Sequence, residues 1–541
     1  MTDDQLLDVR NLTVSFGTSR RQQAPVVDRV SFSIAPGECL ALVGESGSGK
    51  SVTARTLIGL AGSDARVTAD SLQLRERDLL SHTESQWRRV RGQQIGFVLQ
   101  DALVSLDPLR TVGREIDDSL RLHTALTRSQ RRQRVFQLLD DVGIPDPELR
   151  AGQRAGELSG GMRQRALIAA AIALEPALII ADEPTTALDV SIQSQILGVL
   201  AELAARGTAV LMISHDLSVV RNIADKVAVM RRGEIVESGP TLEILERPRH
   251  EYTMALIRAV PSAHPRGQRL TTGERVAAPK PASAGTPISA EPVLELAGVT
   301  KRFGTGVHAS LTAVDDVSIT VHAGRTLGLV GASGSGKTTT ARIALGLTSP
   351  DAGSVRLLGS PWVPLPEARR RERRSLIGAI YQDPFSSFDP RWSVGRLLAD
   401  ALTGGNSTRP GAHTDRIAEL LSSVGLDPSL MSRRTRSLSG GQRQRVAIAR
   451  AIAPQPRVII CDEPVSSLDV SVQAQVLDLL DELQATLGLG YLFISHDLGV
   501  IRHISDTVAV LHGGRIVDAG PTEHIFAESS AMVTLSAAKR P

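Results

Sequence analysis

Apolar and polar positions alternate in some stretches of this chain and fuse into solid runs in others. Leu12-Thr-Val-Ser-Phe16 alternates, the pattern of a half-buried strand in an antiparallel sheet. Leu40-Ala-Leu-Val43 is apolar throughout and stops at a glycine-rich stretch, and Leu327-Gly-Leu-Val330 does the same. Such short solid runs predict strands buried on both faces. A polar middle rich in Leu and Arg follows each of them and predicts helices. Two further buried strands then end near Asp182 and near Ile213. Buried strand, loop and helix in alternation predict an α/β fold with a mainly parallel sheet covered on both faces.

The pattern is written twice. Gly44-Glu-Ser-Gly-Ser-Gly-Lys50-Ser51 returns as Gly331-Ala-Ser-Gly-Ser-Gly-Lys337-Thr338. Leu158-Ser-Gly-Gly-Met162 returns as Leu438-Ser-Gly-Gly-Gln442, Asp182-Glu183-Pro184 as Asp462-Glu463-Pro464, and Ile213-Ser-His215-Asp216 as Ile494-Ser-His496-Asp497. The offsets of 287, 280, 280 and 281 residues keep one order, which a tandem duplication explains. Between the copies, residues 262–292 are rich in Pro, Ala and Gly and lack periodicity, the composition of a flexible, solvated linker. The expected domains are 1–261 and 293–541.

Composition adds little to this. A chain of 541 residues has room for two to four domains, and 42% hydrophobic with 22% charged residues is ordinary for globular protein. Aromatics at 3% leave the cores to Leu, Val, Ile and Ala. A net charge of +3 does not single out nucleic acid as a partner. Only six of the 61 basic residues are lysines, and two of those six, Lys50 and Lys337, occupy the repeated motif. Cys39 and Cys461 lie in separate apolar runs and read as packed thiols of a reducing compartment. No segment reaches the roughly 18 apolar residues that span a bilayer, and the acidic opening Met1-Thr2-Asp3-Asp4 does not read as a signal peptide.

The chemistry lies in the repeated motifs. Gly-x4-Gly-Lys-Ser/Thr directly after a buried strand is the P-loop pattern. Its glycines let successive backbone N–H groups turn inward onto phosphate oxygens at a helix N-terminus. Candidate nucleotide contacts are Gly44, Glu45, Ser46, Gly47, Ser48, Gly49, Lys50, Ser51 and Val52, and their repeats Gly331, Ala332, Ser333, Gly334, Ser335, Gly336, Lys337, Thr338 and Thr339. The lysines are expected on the β- and γ-phosphates, and the Ser51 and Thr338 hydroxyls on Mg²⁺. Asp182 and Asp462 each end an apolar strand, where a carboxylate needs a cation or a partner; a metal contact is the expectation, a helix cap the alternative. Glu183 and Glu463 follow as candidate general bases toward water.

Leu-Ser-Gly-Gly-Met/Gln, some 20 residues before an apolar-Asp-Glu-Pro strand, resembles the signature of ABC ATPases, and the resemblance covers nearly all of both halves. It implies two P-loop nucleotide-binding domains, each with a mainly parallel core sheet, an antiparallel β subdomain and an α-helical subdomain. It implies ATP and Mg²⁺ as cofactors. Phe16 and Phe303 match the aromatic that stacks on adenine, with a strand-core role as the alternative. Gln100 and Gln382 match the glutamine that contacts Mg²⁺, and Asp189 and Asp469 the D-loop. His215 and His496 match the histidine at the γ-phosphate. In that family two cassettes pair head to tail. Ser159, Gly160, Gly161 and Met162 would then face the site of Lys337, while Ser439, Gly440, Gly441 and Gln442 would face that of Lys50.

Finer features resemble the ATP-binding subunits of the peptide/nickel class of bacterial importers, here two subunits fused. They are Ser105-Leu-Asp-Pro108, Gln382-Asp-Pro384, Ser387-Phe-Asp-Pro390, the segments Ala181–Val190 and Cys461–Val470, and His250-Glu-Tyr252-Thr253. The resemblance implies an ATP-hydrolysing motor for dipeptides or oligopeptides. Its partners would be two integral-membrane permease subunits and an extracytoplasmic substrate-binding protein, and nucleic acid is not expected. It would sit peripherally on the cytoplasmic side of the cell membrane. Ala102 replaces a usual Pro, and the second half lacks the Tyr-Thr segment. Two other functions share the ATP-site residues: an exporter motor, and a soluble tandem ATPase acting on ribosomes or nucleic acid. For the latter, Arg369-Arg-Arg-Glu-Arg-Arg374 could be an RNA patch; a solvated helix face is the plainer reading.

Overall fold

The computed structural model describes residues 5–17, 24–99, 105–185, 190–264, 266–274, 292–304, 310–332, 334–384, 387–466, 468–530 and 532. The chain forms two compact units, residues 1–257 and 258–538.

In the first unit a six-stranded sheet runs in the order Glu234–Pro240, Lys226–Arg231, Cys39–Val43, Ala209–Ile213, Leu178–Asp182, Ile95–Val98. All pairings are parallel except the hairpin that joins the first two strands of that order. Every residue of Cys39–Val43, Leu178–Asp182 and Ala209–Ile213 is buried, as solid apolar runs require. A second, antiparallel sheet pairs Leu7–Phe16 with Val27–Ile34, Ala65–Thr68 and Ser71–Leu74. The polar middle is helical at Val112–His123 and Arg128–Asp141.

The second unit repeats this plan. Its sheet order is Ile377–Ile380, Val458–Asp462, Gly490–Ile494, Thr326–Val330, Thr507–His512, Arg515–Pro521. Its antiparallel sheet pairs Pro292–Gly304 with Ser310–His322 and Ala352–Leu357. Both cysteines are free and buried, as packed thiols should be, and burial pushes the Cys39 thiol up to about 12. Among the described residues no helix is long and apolar enough to cross a membrane.

Two expectations need correction. The segment read as a solvated linker is, in its described parts 262–264 and 266–274, folded onto the second unit. Leu270 is 0% exposed. The Asp478 carboxylate accepts from Leu270 N at 2.9 Å and Thr271 N at 3.0 Å, and Arg266 pairs with Asp506 at 2.7 Å. A single apolar anchor and one carboxylate holding two successive N–H groups suffice to fix so short a stretch, and composition does not show that. The arginine run is a solvated face only in part: Arg369, Arg371 and Glu372 are exposed, while Arg370, Arg373 and Arg374 are engaged within the fold. Arg370 is buried, donates to Gly346 O at 2.7 Å and lies over the Trp362 ring. Arg374 packs on the same ring and pairs with Glu367 at 2.8 Å, and Arg373 donates to Pro361 O and Leu357 O. Stacked guanidinium groups around a buried indole hold this corner together.

Candidate functional site

In each unit the buried strand Cys39–Val43 or Thr326–Val330 runs into the P-loop and then into the helix Lys50–Thr56 or Lys337–Ala344. Glycine is required where the loop begins. Gly44 has φ +147° and a Cβ there would lie 2.1 Å from Met230 O; at Gly331, φ +158°, it would lie 2.2 Å from Leu511 O. The loop curls around its own lysine. Lys50 Nζ donates to Gly44 O at 2.6 Å and Glu45 O at 2.8 Å. Lys337 Nζ donates to Gly331 O and Ala332 O, both at 2.8 Å. Ser48 and Ser335 are buried, while Ser46, Gly47 and Gly334 are exposed at the mouth.

Strand register brings the remaining groups to this mouth. Asp182 pairs with Ile213 and Asp462 with Ile494 across parallel strands. The next residues therefore emerge together at the same sheet end as the P-loop. Glu183 N donates to Ile213 O at 3.0 Å and Glu463 N to Ile494 O at 2.9 Å. Both glutamates hold the left-handed backbone, φ +50° and +51°, a conformation that costs on the order of 1–3 kcal/mol away from glycine and concentrates at functional sites. It turns each carboxylate toward a histidine: His215 Nδ1 lies 3.3 Å from Glu183 Oε1, and His496 Nδ1 lies 3.1 Å from Glu463 Oε1. The aspartates after these histidines cap the next helices. Asp216 Oδ1 accepts from Ser218 N and Asp497 Oδ1 from Gly499 N, each at 2.8 Å. Those caps fix where each histidine leaves its strand, a role the sequence reading did not assign. An Asp one residue before an apolar helical stretch was its signal.

The electrostatics fit an anionic ligand with a cation. Asp182 is 1% exposed, and burial raises its pKa against the hydrogen bond it accepts from Ser51 Oγ at 3.0 Å. Burial, with repulsion by Glu463, pushes Asp462 up to about 6 while Lys337 opposes. Burial would raise Glu463, but the hydrogen bond and charge of His496 and the charge of Lys337 outweigh it and hold the carboxylate low. Burial would lower His215 and His496; their glutamate partners outweigh it and raise both. A buried carboxylate and a hydroxyl side by side are hard oxygen donors, and the unfavourable burial of Asp182 is what a divalent cation would relieve. Mg²⁺ fits that donor set.

The Ser-Gly-Gly turns lie at N-termini of 13-residue helices, Gly160–Ile172 and Gly440–Ile452. Ser159 Oγ accepts from Met162 N and Ser439 Oγ from Gln442 N. The two glycines of each turn differ. A Cβ at Gly161 would lie 2.4 Å from Ile192, and at Gly441 2.6 Å from Val472, so these pack against the following helix. A Cβ at Gly160 would meet nothing, and at Gly440 only Leu468 at 4.0 Å. Each helix N-terminus is thus open to an incoming anion over its first glycine.

Other sequence candidates fall less uniformly. Phe303 is 43% exposed with Lys301 Nζ 5.7 Å from its ring centre, so it is not a strand-core residue; Phe16 is half-buried against the first core. Gln382 is exposed just beyond Ile377–Ile380. Asp469 caps the helix Val470–Leu487, accepting from Val472 N at 3.1 Å. Thr338 is exposed, and Val52 and Thr339 are half-buried on the P-loop helices. Gln100, Asp189, Ser333 and Ala102 lie outside the described residues.

Comparison with known proteins agrees with this geometry. Residues 27–186 and 314–466 match the family ABC transporter, and residues 236–285 match Oligopeptide/dipeptide transporter, C-terminal region. The chain is 43% identical over 526 residues to the Peptidoglycan transport ATP-binding protein YejF of Agrobacterium fabrum, covering 96% of this chain and 94% of that one. It is 41% identical over 542 residues to the Glutathione import ATP-binding protein GsiA of Salmonella typhimurium, covering 96% and 87%. Among solved structures, the archaeal ribosome recycling factor aABCE1, bound to a ribosomal stalk protein, has a TM-score of 0.60 at 20% identity over 95% of this chain and 90% of its own, a likeness of fold. With the family matched in both copies and relatives above 40% identity covering 96% of the chain, the chain belongs to the ABC transporter family as a tandem-cassette ATPase.

Proposed function

We propose that this chain drives an importer of peptides or peptide-like molecules, with two ATP sites built head to tail between its halves. Its ATP-binding domains are 1–261 and 293–541, and the segment 262–292 between them is packed on the second unit at Arg266, Leu270 and Thr271. The observation that carries the reading is the pairing of matched chemistry with an open cap. Both copies hold the Lys, Asp, Glu and His set, with glutamate–histidine distances of 3.3 and 3.1 Å, and both leave room at the first signature glycine, where a Cβ at Gly160 would meet nothing and at Gly440 only Leu468 at 4.0 Å. Import of peptide-like cargo is supported by the oligopeptide/dipeptide transporter region and by relatives named for peptidoglycan transport and glutathione import. Of the arginines of 369–374 that could have served RNA, Arg370, Arg373 and Arg374 are engaged within the fold, which weakens the feature favouring a ribosomal role.

In this reading Lys50 and Lys337 neutralise phosphate charge. Ser51, Gln100 and Asp182, and likewise Thr338, Gln382 and Asp462, would hold Mg²⁺, which supplies charge neutralisation on the phosphates. Glu183 and Glu463 accept a proton from water, and His215 and His496 orient those carboxylates and reach toward the γ-phosphate. Ser159–Met162 serve the nucleotide of Lys337, and Ser439–Gln442 that of Lys50. ATP then links the halves, and hydrolysis removes the link. Two integral-membrane permease subunits and an extracytoplasmic binding protein receive that motion at the cytoplasmic face of the membrane. The test is Ser159→Arg with site-resolved nucleotide trapping. Trapping should fail at the Lys337 P-loop and persist at the Lys50 P-loop; the reverse pattern rejects the head-to-tail pairing.

A further inference from the structure

Tyr252 lies on the helix Glu251–Arg258 that follows the first catalytic core. Its hydroxyl accepts a hydrogen bond from Glu45 N at 3.1 Å. That N–H belongs to the Gly44–Glu45 peptide, and the carbonyl of the same peptide, Gly44 O, accepts from Lys50 Nζ at 2.6 Å. A trans peptide is a rigid plane with its N–H and C=O on opposite edges. The phenol on one edge therefore sets the orientation of the carbonyl that holds the ammonium on the other.

The tyrosine is itself fixed. It is buried, and the Arg231 guanidinium lies over its ring at 4.9 Å. Tyr252 N donates to His250 Nδ1 at 3.1 Å, while Arg249 N and His250 N donate to the Glu237 carboxylate at 2.7 and 3.1 Å. Glu237 belongs to the strand Glu234–Pro240 at the sheet edge, so the phenol is anchored to the same sheet as the P-loop. A Cβ at Gly44 would lie 2.1 Å from Met230 O, so the loop backbone runs close against the neighbouring strand at this peptide.

Among the described residues, the second copy shows no tyrosine in this place. Lys337 makes the same two bonds to its loop, but the chain has three tyrosines and the other two are engaged or placed elsewhere. Tyr491 donates its hydroxyl to Leu480 O at 3.0 Å within the core. Tyr381 follows the strand Ile377–Ile380, which two strands separate from Thr326–Val330.

We propose that Tyr252 is a positioning residue for the first ATP site: it orients the Gly44–Glu45 peptide and through it the Lys50 ammonium, and so makes the two sites unequal in nucleotide affinity. The inference rests on Lys50 serving the phosphates of the first nucleotide. The test is Tyr252→Phe in the full chain, which keeps the ring and its guanidinium contact and removes the acceptor. Photolabelling with azido-ATP, mapped to the two P-loop peptides, reads each site separately. Half-saturation at the 44–51 peptide should rise about two- to tenfold, the loss of one buried hydrogen bond, with the 331–338 peptide unchanged. Turnover at saturating ATP should stay within about twofold, a split between KM and kcat that general destabilisation does not give. Unchanged half-saturation at the first P-loop, or equal losses at both, overturns the proposal. If the first P-loop of the unaltered chain takes no label, the assignment of Lys50 falls and the proposal with it. Should the variant not fold, 3-fluorotyrosine incorporation weakens the phenol oxygen as acceptor. A shift confined to the first site then supports the role of Tyr252, and no shift overturns it.

Discussion

Glu463 Oε1 stands 3.1 Å from His496 Nδ1 on a residue whose backbone is left-handed, and Glu183 repeats both features with His215 at 3.3 Å. Strain of this kind persists where the surroundings over-determine it. Here a strand hydrogen bond to Ile494 O or Ile213 O and the histidine contact hold it. Replacing both glutamates with glutamine keeps size and backbone while removing the proton acceptor. Glu183→Gln with Glu463→Gln should bind ATP normally and hydrolyse it about 10²- to 10⁴-fold more slowly. Phosphate release under saturating ATP measures this, and near-normal turnover would reject the carboxylates as bases.

The two glycines of each signature turn should separate fold from function. Gly161→Ala puts a Cβ into Ile192 and should cost about 1–3 kcal/mol, seen as a lower melting temperature. Gly160→Ala meets no neighbour and should melt like the unaltered chain. It should nonetheless slow turnover by about tenfold or more, because the added methyl occupies the side of the helix N-terminus offered to phosphate. Calorimetry beside steady-state ATPase rates distinguishes the pair; a Gly160→Ala enzyme of full activity would place the phosphate elsewhere.

Much of this was legible in the residues. Register and chemistry are local in a parallel strand followed by a loop, so the apolar runs ending at Gly44, Asp182 and Ile213 located the P-loop, the carboxylates and the histidines. Groups that act from a distance were not legible. Nothing in His250-Glu-Tyr252-Thr253 announces a phenol on Glu45 N, 207 residues away in sequence. Leu270 in a Pro- and Ala-rich setting gives no sign that Asp478 captures its N–H. The arginine run misleads for the same reason, since Trp362 and the Gly346 carbonyl that absorb its charge lie outside it.

Asp462 should be a liability for stability and a necessity for turnover. Burial and Glu463 push it up to about 6, so the folded state without cation favours the protonated acid. That contribution is full below the ordinary aspartate range and is lost as pH rises through about 6. Asp462→Asn should therefore melt at or above the unaltered chain at pH 8 in the absence of nucleotide and Mg²⁺, while hydrolysis at its site is abolished. Chelation of Mg²⁺ should likewise stop hydrolysis in the unaltered chain, and its return should restore it. A variant less stable at pH 8 would show that Asp462 is satisfied without a cation.

The docked segment 262–274 carries its own pH signature. Asp481 interacts with its Arg266, and burial raises the Asp481 pKa to about 7; Arg266 opposes, while Asp478 and Asp506 add repulsion. His503, close to His264 O at 3.4 Å, is held below its ordinary range by burial. A raised carboxylate means the folded state binds a proton that the unfolded state releases between about pH 4 and 7, so stability falls across that window. Below pH 6.5 His503 acts the opposite way, and it does so equally in both proteins of the comparison. Asp481→Asn should match the unaltered chain near pH 4, gain on it steadily to about pH 7, and hold a constant advantage above. Leu270→Asp, which puts a second charge into the same contact, should lower the melting temperature at every pH. Melting curves from pH 4 to 8 read the difference directly. An advantage for Asp481→Asn that shrinks as pH rises would reverse the sign and show that Arg266 holds this carboxylate ionised.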